Sequence, residues 1–239
     1  LAKRGGDKTK CLYSIPLAGG EARRLVAHDT DITAYSVSPD GHRAAFLATK
    51  KMSEARKKLQ DNGFKAEVYE EDVEPALVWI TVIDDRSGDR SHIDSRKPKA
   101  LDLTGSASMV QWSPAGDRIA VALAPTPLID DEMMRRKVHI IDATNGKDVA
   151  QLENPGKLGH IAWSPDGKHL AVLSAADIND NDEGTLMVGE ATGGPLRMLL
   201  PNYEGRISSI GWQSNDTVMY VGDEGVETVF GKLKIDGSG

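Results

Sequence analysis

Glu70, Glu71 and Asp72 stand side by side, and carboxylates held together in a partly enclosed space attract an ammonium group strongly. The same run serves equally as a solvated edge, or as charges that guard the end of a strand. Asp177, Asn179, Asn181 and Glu183 alternate, so their oxygens could be offered to calcium. A calcium loop of the EF-hand type would ask for glycine at 182 and glutamate at 188, where this chain has Asp182 and Val188; a solvated loop is the simpler reading. The histidines at 28, 42, 92, 139, 160 and 169 are scattered, without the spacing of a zinc motif. His160, just before a strand, reads as a structural donor bridging strands. Asp130-Asp131-Glu132 followed by Arg135-Arg136 reads as a loop with local ion pairs, each worth little when exposed. For a serine nucleophile the nearest candidate is Gly105-Ser106-Ala107-Ser108-Met109, which lacks the last glycine of G-x-S-x-G. These residues therefore offer no nucleophile or triad, and no metal or cofactor is expected.

The elements that would position such groups are repeated. His160-Ile161-Ala162-Trp163-Ser164-Pro165-Asp166-Gly167-Lys168-His169-Leu170-Ala171-Val172-Leu173 reads as strand, tight turn, strand. Pro165 presets φ, Asp166 can bond the backbone, and Gly167 accepts a positive φ. The unit recurs around Trp112-Ser113-Pro114-Ala115-Gly116 and Val37-Ser38-Pro39-Asp40-Gly41, with a decayed copy around Trp212-Gln213-Ser214-Asn215-Asp216. Trp112, Trp163 and Trp212 are spaced by 51 and 49 residues, while Val37 holds the tryptophan position 75 residues before Trp112. A hairpin cannot bury both of its own faces, and a period of this length suits a four-stranded propeller blade. The phase of the tryptophans makes them packing between blades rather than a stacking platform.

Each unit also has an outer hairpin: strands around Leu12 and Leu25 joined by Ala18-Gly19-Gly20, around Ile140 and Val149 joined by Ala143-Thr144-Asn145-Gly146, and around Met187 and Met198 joined by Ala191-Thr192-Gly193-Gly194. Asn145-Gly146 predicts a tight turn with both central residues at positive φ. The first unit is longer by about 25 residues, the size of an insertion a loop tolerates. Within it Met52, Ala55 and Leu59 fall at helical spacing, with Ser53 to cap the start and Gly63 the end. Lys65 to Tyr69 then predicts a return to strand, as does Leu77 to Asp84, with a turn over Asp85-Arg86-Ser87-Gly88. The second unit carries its own insertion from Ala124 to Arg136.

The expected fold is all-β: a β-propeller domain or fragment over 1–239, of four-stranded antiparallel blades, with blade portions at 11–28, 32–104, 107–153, 158–201 and 206–235. An outer half-blade, three full blades and three strands of another overcount a closed ring by one strand. The expectation is thus a partial propeller of about four to five blades.

Composition narrows the partners. A formal net charge of −7 disfavours nucleic acid, and no apolar run reaches the length of a membrane span. The single Cys11 excludes an internal disulfide. The chain opens on Leu1, so the lack of a signal peptide carries no information. Between a periplasmic or secreted setting and a cytoplasmic one, the periplasm is preferred.

The Ser-Pro-Asp-Gly units and the sequel of the first one, Gly63-Phe64-Lys65-Ala66-Glu67-Val68-Tyr69-Glu70-Glu71-Asp72 and then Leu77-Val78-Trp79-Ile80-Thr81-Val82-Ile83-Asp84, resemble the propeller domain of the prolyl oligopeptidase family of serine peptidases, especially its acylaminoacyl-peptidase and dipeptidyl-peptidase-like members. The Ser-Pro-Asp-Gly unit alone is shared with TolB-type propellers. The first resemblance implies a parent chain with a C-terminal α/β-hydrolase domain, peptide substrates, and a non-catalytic propeller that gates access by size. It also implies that Glu70 and Glu71, with Asp72 beside them, bind a substrate's free amino terminus. The second implies an envelope propeller that docks another protein. A small stand-alone propeller with a ligand-binding role is the third expectation.

Overall fold

The computed structural model describes residues 1–83, 97–180 and 182–238. The turn expected at Asp85–Gly88, His92 and Asn181 lie outside them. A hairpin of β1 (Leu12–Ser14) and β2 (Arg23–Val26) comes first. The first four-stranded sheet follows: β3 (Ala34–Val37), β4 (Arg43–Thr49), β5 (Ala76–Val82) and β6 (Lys99–Ala100), with helices α1 (Glu54–Asp61) and α2 (Tyr69–Asp72) between β4 and β5. The second is β7 (Ser106–Trp112), β8 (Arg118–Ala124), β9 (Lys137–Asp142) and β10 (Asp148–Glu153), with α3 (Ile129–Met134) between β8 and β9. The third contains β11 (Leu158–Trp163), β12 (His169–Ser174), β13 (Thr185–Glu190) and, after the short β14 (Gly194–Pro195), β15 (Arg197–Met198). β14 pairs in parallel with β10 and so ties the third sheet to the outer edge of the second. The fourth sheet is β16 (Arg206–Trp212), β17 (Thr217–Glu224) and β18 (Glu227–Lys234).

These sheets stack as propeller blades, and the parity of the second strand of each shows why its sequence is apolar without alternation. Ile119 and Val121 of β8 face the first blade, while Ala120 and Ala122 face the third. Leu170 and Val172 of β12 likewise face back, Ala171 and Leu173 forward. Both faces are buried, so polar residues have no place there. The forward-facing Ala45, Ala120 and Ala171 are small, which leaves room for the tryptophan of the next blade. Trp112, Trp163 and Trp212 sit opposite Ile119, Leu170 and Val218 in register and face the preceding blade. The Trp163 indole donates to the Gln111 carbonyl at 3.3 Å and that of Trp212 to the Ala162 carbonyl at 3.0 Å. Val37 holds this position in the first blade. It is 39% exposed where Trp112 is 5% exposed, because the β1–β2 hairpin covers only the outer part of that blade.

The repeated corners share one geometry. In each, the serine amide donates to the carbonyl of the residue that opens the second strand and the serine hydroxyl accepts from that residue's amide, the glycine amide donates to the serine carbonyl, and the glycine takes φ near +70° (Gly41 +73°, Gly116 +71°, Gly167 +68°). The serine hydroxyl donates to a nearby carboxylate: Ser38 to Asp40 at 2.5 Å, Ser164 to Asp166 at 2.7 Å. Where Ala115 replaces the aspartate, Asp117 supplies the carboxylate at 2.7 Å.

The residue that opens the second strand joins blade to blade. Arg43 donates to the Gly116 carbonyl at 2.9 Å, and Arg118 to the Gly167 carbonyl at 2.9 Å. Each guanidinium also lies over the next blade's tryptophan, at 4.5 Å for Arg43 on Trp112 and 5.5 Å for Arg118 on Trp163. Thr217 stands at this position in the fourth blade. The hairpin β1–β2 does not pair with the sheet β16–β18, so it does not complete the fourth blade, and the described strands fit a partial propeller, an arc of blades.

Three local expectations are corrected. Lys65 to Tyr69 does not return as a strand, because both edges of β5 are already taken by β4 and β6. The chain instead turns into α2, where the Val68 amide donates to Asp72 at 2.7 Å. Asn145 is not at positive φ; the Asp142 carboxylate accepts from the Thr144 and Asn145 amides and holds a longer loop in which Gly146 alone is left-handed. The expected loop at Asp130–Glu132 is the helix α3, in which Asp131 pairs with Arg135 at 3.3 Å. Of the exposed helix or ordered loop expected from Lys50 to Asn62 the helix forms, as α1, its first turn closed by Ser53 accepting from the Arg56 amide at 3.2 Å.

Candidate functional site

Antiparallel order fixes the two ends of the arc. All turns between first and second strands lie at one end, the first three joined by the arginines described above. All connections between second and third strands therefore rise at the other. That end carries α1 and α2 from the first blade, α3 from the second, the 175–184 connection from the third, and the tight β17–β18 turn from the fourth.

These connections are joined across blades. The Ile129 amide at the start of α3 donates to the Tyr69 hydroxyl of α2 at 2.9 Å. Glu132 of α3 accepts from Ser106 at 2.8 Å, and Ser106 in turn accepts from the Ala76 amide at 3.2 Å. A cavity of about 460 Å³ between α3 and the third connection is lined by Pro125, Met134 and Ile178. Arg206 of the fourth blade pairs with Asp182 at 2.8 Å and Glu183 at 3.2 Å.

Each connection also leaves large apolar side chains exposed: Phe64, Val68 and Tyr69 in the first, Ile129 and Met133 in the second, Ile178 in the third, Val226 in the fourth. An exposed leucine or valine on its own needs no explanation, and Ile15 and Leu17 of the β1–β2 turn are exposed as well; what sets this end apart is that Tyr69 and Ile129, from two connections, are held together. Carboxylates flank them: Glu70 and Glu71 beside Tyr69, Asp130 and Asp131 beside Ile129, Asp177 beside Ile178, Glu224 and Glu227 beside Val226.

The structure separates the three acidic residues singled out from the sequence. Asp72 is occupied, accepting from Arg56 at 2.9 Å and from the Val68 amide. Glu71 lines a cleft of about 350 Å³ between α1 and α2, together with Glu67, Glu74, Met52, Arg56 and Lys50. Glu70 is exposed and does not line that cleft. Glu67 and Glu74 had no signal beyond their charge, since only the fold of α2 turns them toward the same space.

Among the described residues of the 175–184 connection the carboxylates are already engaged. Asp177 accepts from the Asn179 and Asp180 amides, and Asp180 from the Ala176 and Asp182 amides. Those backbone donors hold the Asp180 carboxyl below its usual range. Lys157 and Arg206 hold Glu183 low in the same way, with the Lys157 hydrogen bond the larger cause. Among the described residues no group of three metal-ligating side chains converges.

His160 is exposed at the bulge of β11, and among the described residues its side chain forms no bridge between strands, contrary to the sequence expectation: an exposed ring has water for its partner. His139 pairs with Asp148 at 2.6 Å and His169 with Glu190 at 3.2 Å. Ser106, the first serine of the nearest approach to a nucleophile motif, is buried and occupied by Glu132 and Ala76, and Ala107 stands where that motif would place its serine. Among the described residues no helix is long and apolar enough to cross a membrane.

No family model matches this sequence, and no curated protein matches it. Among solved structures the chain is similar to the crystal structure of TolB from Acinetobacter baumannii, with a TM-score of 0.57 and 16% identity over 95% of this chain and 46% of that one. It is also similar to a TolB-type protein from Agrobacterium tumefaciens, with a TM-score of 0.53 and 17% identity over 92% of this chain and 64% of that one. The chain thus spans less than two thirds of either neighbour. At these identities the likeness is one of fold: a TolB-like β-propeller arc.

Proposed function

We propose that this chain is a non-catalytic propeller module that docks another protein on the end carrying α2 and α3. One observation carries the reading: the Tyr69–Ile129 hydrogen bond joins the connections of two blades into one ridge whose large apolar side chains are exposed. Apolar side chains on connections that are tied to each other cost less entropy to bury against a partner, which suits them to anchor an interface. The TolB-like fold of the neighbours is in keeping with this reading. Gating of a hydrolase domain, which the peptidase resemblance implies, finds no residue here that favours it over docking.

The test is site-specific photo-cross-linking in the cells of origin, with the reactive side chain placed at Met133 on the ridge or at Lys147 at the opposite end. A discrete adduct from Met133 that Lys147 does not give is the expected result. No adduct, or the same adduct from both positions, overturns the reading.

A further inference from the structure

We infer that the partner segment received by this end is basic and amphipathic, with an apolar side chain laid over Tyr69 and Ile129 and a lysine or arginine entering the cleft beside them. The inference rests on the docking reading and names its chemistry. Three features on different elements support it.

The first is the apolar ridge itself. Tyr69 and Ile129 are exposed and hydrogen-bonded to each other, and Val68, next to Tyr69, and Met133, one turn beyond Ile129 on α3, are exposed too. The second is the adjoining cleft of about 350 Å³, floored by Thr30 and Thr49. Of the four carboxylates lining it, only Asp72 has a cationic partner among the described residues, and that partner, Arg56, is further held by the Ala66 carbonyl at 2.9 Å. Glu67, Glu71 and Glu74 are left facing the single Lys50, so the cleft keeps an excess of negative charge. The third is the flanking of the ridge by Glu70, Asp130 and Asp131. Of these Asp131 is engaged by Arg135 and Thr126, which leaves Glu70 and Asp130 to face a partner.

The charge decides among occupants of the apolar surface. A second copy docked ridge to ridge would set Glu70 and Asp130 against themselves, and an anionic surface laid on the ridge would face those same carboxylates. A segment that interleaves basic and apolar residues satisfies both features at once, and like-charged alternatives are disfavoured at encounter.

The experiment uses the full chain and three fluorescein-labelled peptides of 14 residues: one of interleaved lysine and leucine, one with glutamate for every lysine, and one with serine for every leucine. The expected result is binding of the lysine–leucine peptide at least about tenfold tighter than either control, weakening as salt is raised. Paired substitution of Glu71→Gln and Glu74→Gln should lower that affinity by about threefold or more, and Ile129→Ser by a similar factor, with the melting temperature unchanged. Glu21→Gln, at the opposite end, should leave it unchanged. Equal binding of the glutamate–leucine peptide, or a loss with Glu21→Gln as large as with Glu71→Gln and Glu74→Gln, overturns the inference, as does the absence of binding. The cross-linking test separates the two readings: a discrete adduct at Met133 whose captured segment carries no excess of lysine or arginine sinks this inference and leaves the docking reading intact.

Discussion

The guanidinium of Arg43 lies 4.5 Å from the ring centroid of Trp112, a residue of the neighbouring blade, while donating to the carbonyl of Gly116 in that blade's corner. The same relationship links Arg118 to Trp163 and Gly167. One side chain thereby fixes both the corner and the tryptophan of the next blade, so the arc is held by repeated cross-blade clamps as well as by its apolar layers.

Replacing Arg43 by methionine keeps the packed stem and removes the clamp. A charge-assisted hydrogen bond and a partly desolvated cation–π contact together should be worth about 2 kcal/mol. The apparent Tm should fall by roughly 5 °C in a thermal melt. Arg43→Lys should recover less than half of that, since an ammonium cannot donate in a fork while stacking on the ring.

The third interface has His169 where the first two have arginine. Its ring centroid lies 6.5 Å from that of Trp212, and it pairs with Glu190. His169→Arg should complete the series and raise the Tm by a few degrees, about 1 kcal/mol in stability. An unchanged or lower Tm would mean that the clamp geometry does not extend to the fourth blade.

Two glycines at positive φ differ in what surrounds them. A Cβ on Gly105 would come within 2.2 Å of the Ala124 carbonyl oxygen, whereas one on Gly225 would meet nothing within 4 Å. Gly225→Ala should therefore cost only the left-handed strain of about 1 kcal/mol, read from a urea midpoint. Gly105→Ala should cost several kcal/mol or prevent folding, because backbone must move to admit it.

The corner carboxylates set the behaviour in acid. Ser38 holds Asp40, Ser164 holds Asp166 and Ser214 holds Asp216 below the ordinary value of 3.8 by donating to the charged form. A depressed carboxylate contributes stability that is present above 3.8 and lost as pH falls through its lower folded value. Urea midpoints should therefore drop below about pH 4, and Asp166→Asn should flatten that drop.

His28 acts at milder pH. Burial against Trp79, with ring centroids 4.4 Å apart, pushes its imidazole below the ordinary 6.5. The unfolded chain takes up the proton first, so the stability of the neutral form is complete above 6.5 and declines as pH falls below it. Stability measured between pH 7 and 5 should slope downward, and His28→Gln should remove that part of the slope.

The spacing of Trp112, Trp163 and Trp212, with a proline–glycine corner after the first two, determined the blade, its four-strand order and the burial of Leu170 to Leu173, because hydrophobic period and turn chemistry are local properties of the chain. Even the helix α1 was legible, through Ser53 and the apolar spacing beside it. The roles of Arg43 and Arg118 were not, although both stand at the same offset from their serines, since an arginine's partners lie 73 and 49 residues away and no local pattern names them. Tertiary structure alone decided that Asp72 is tied to Arg56 while Glu67, Glu71 and Glu74 share a cleft, and that Tyr69 meets Ile129 across two blades. Charge and apolarity are written in the sequence, but which of those groups find a partner depends on how the blades bring distant connections to one end.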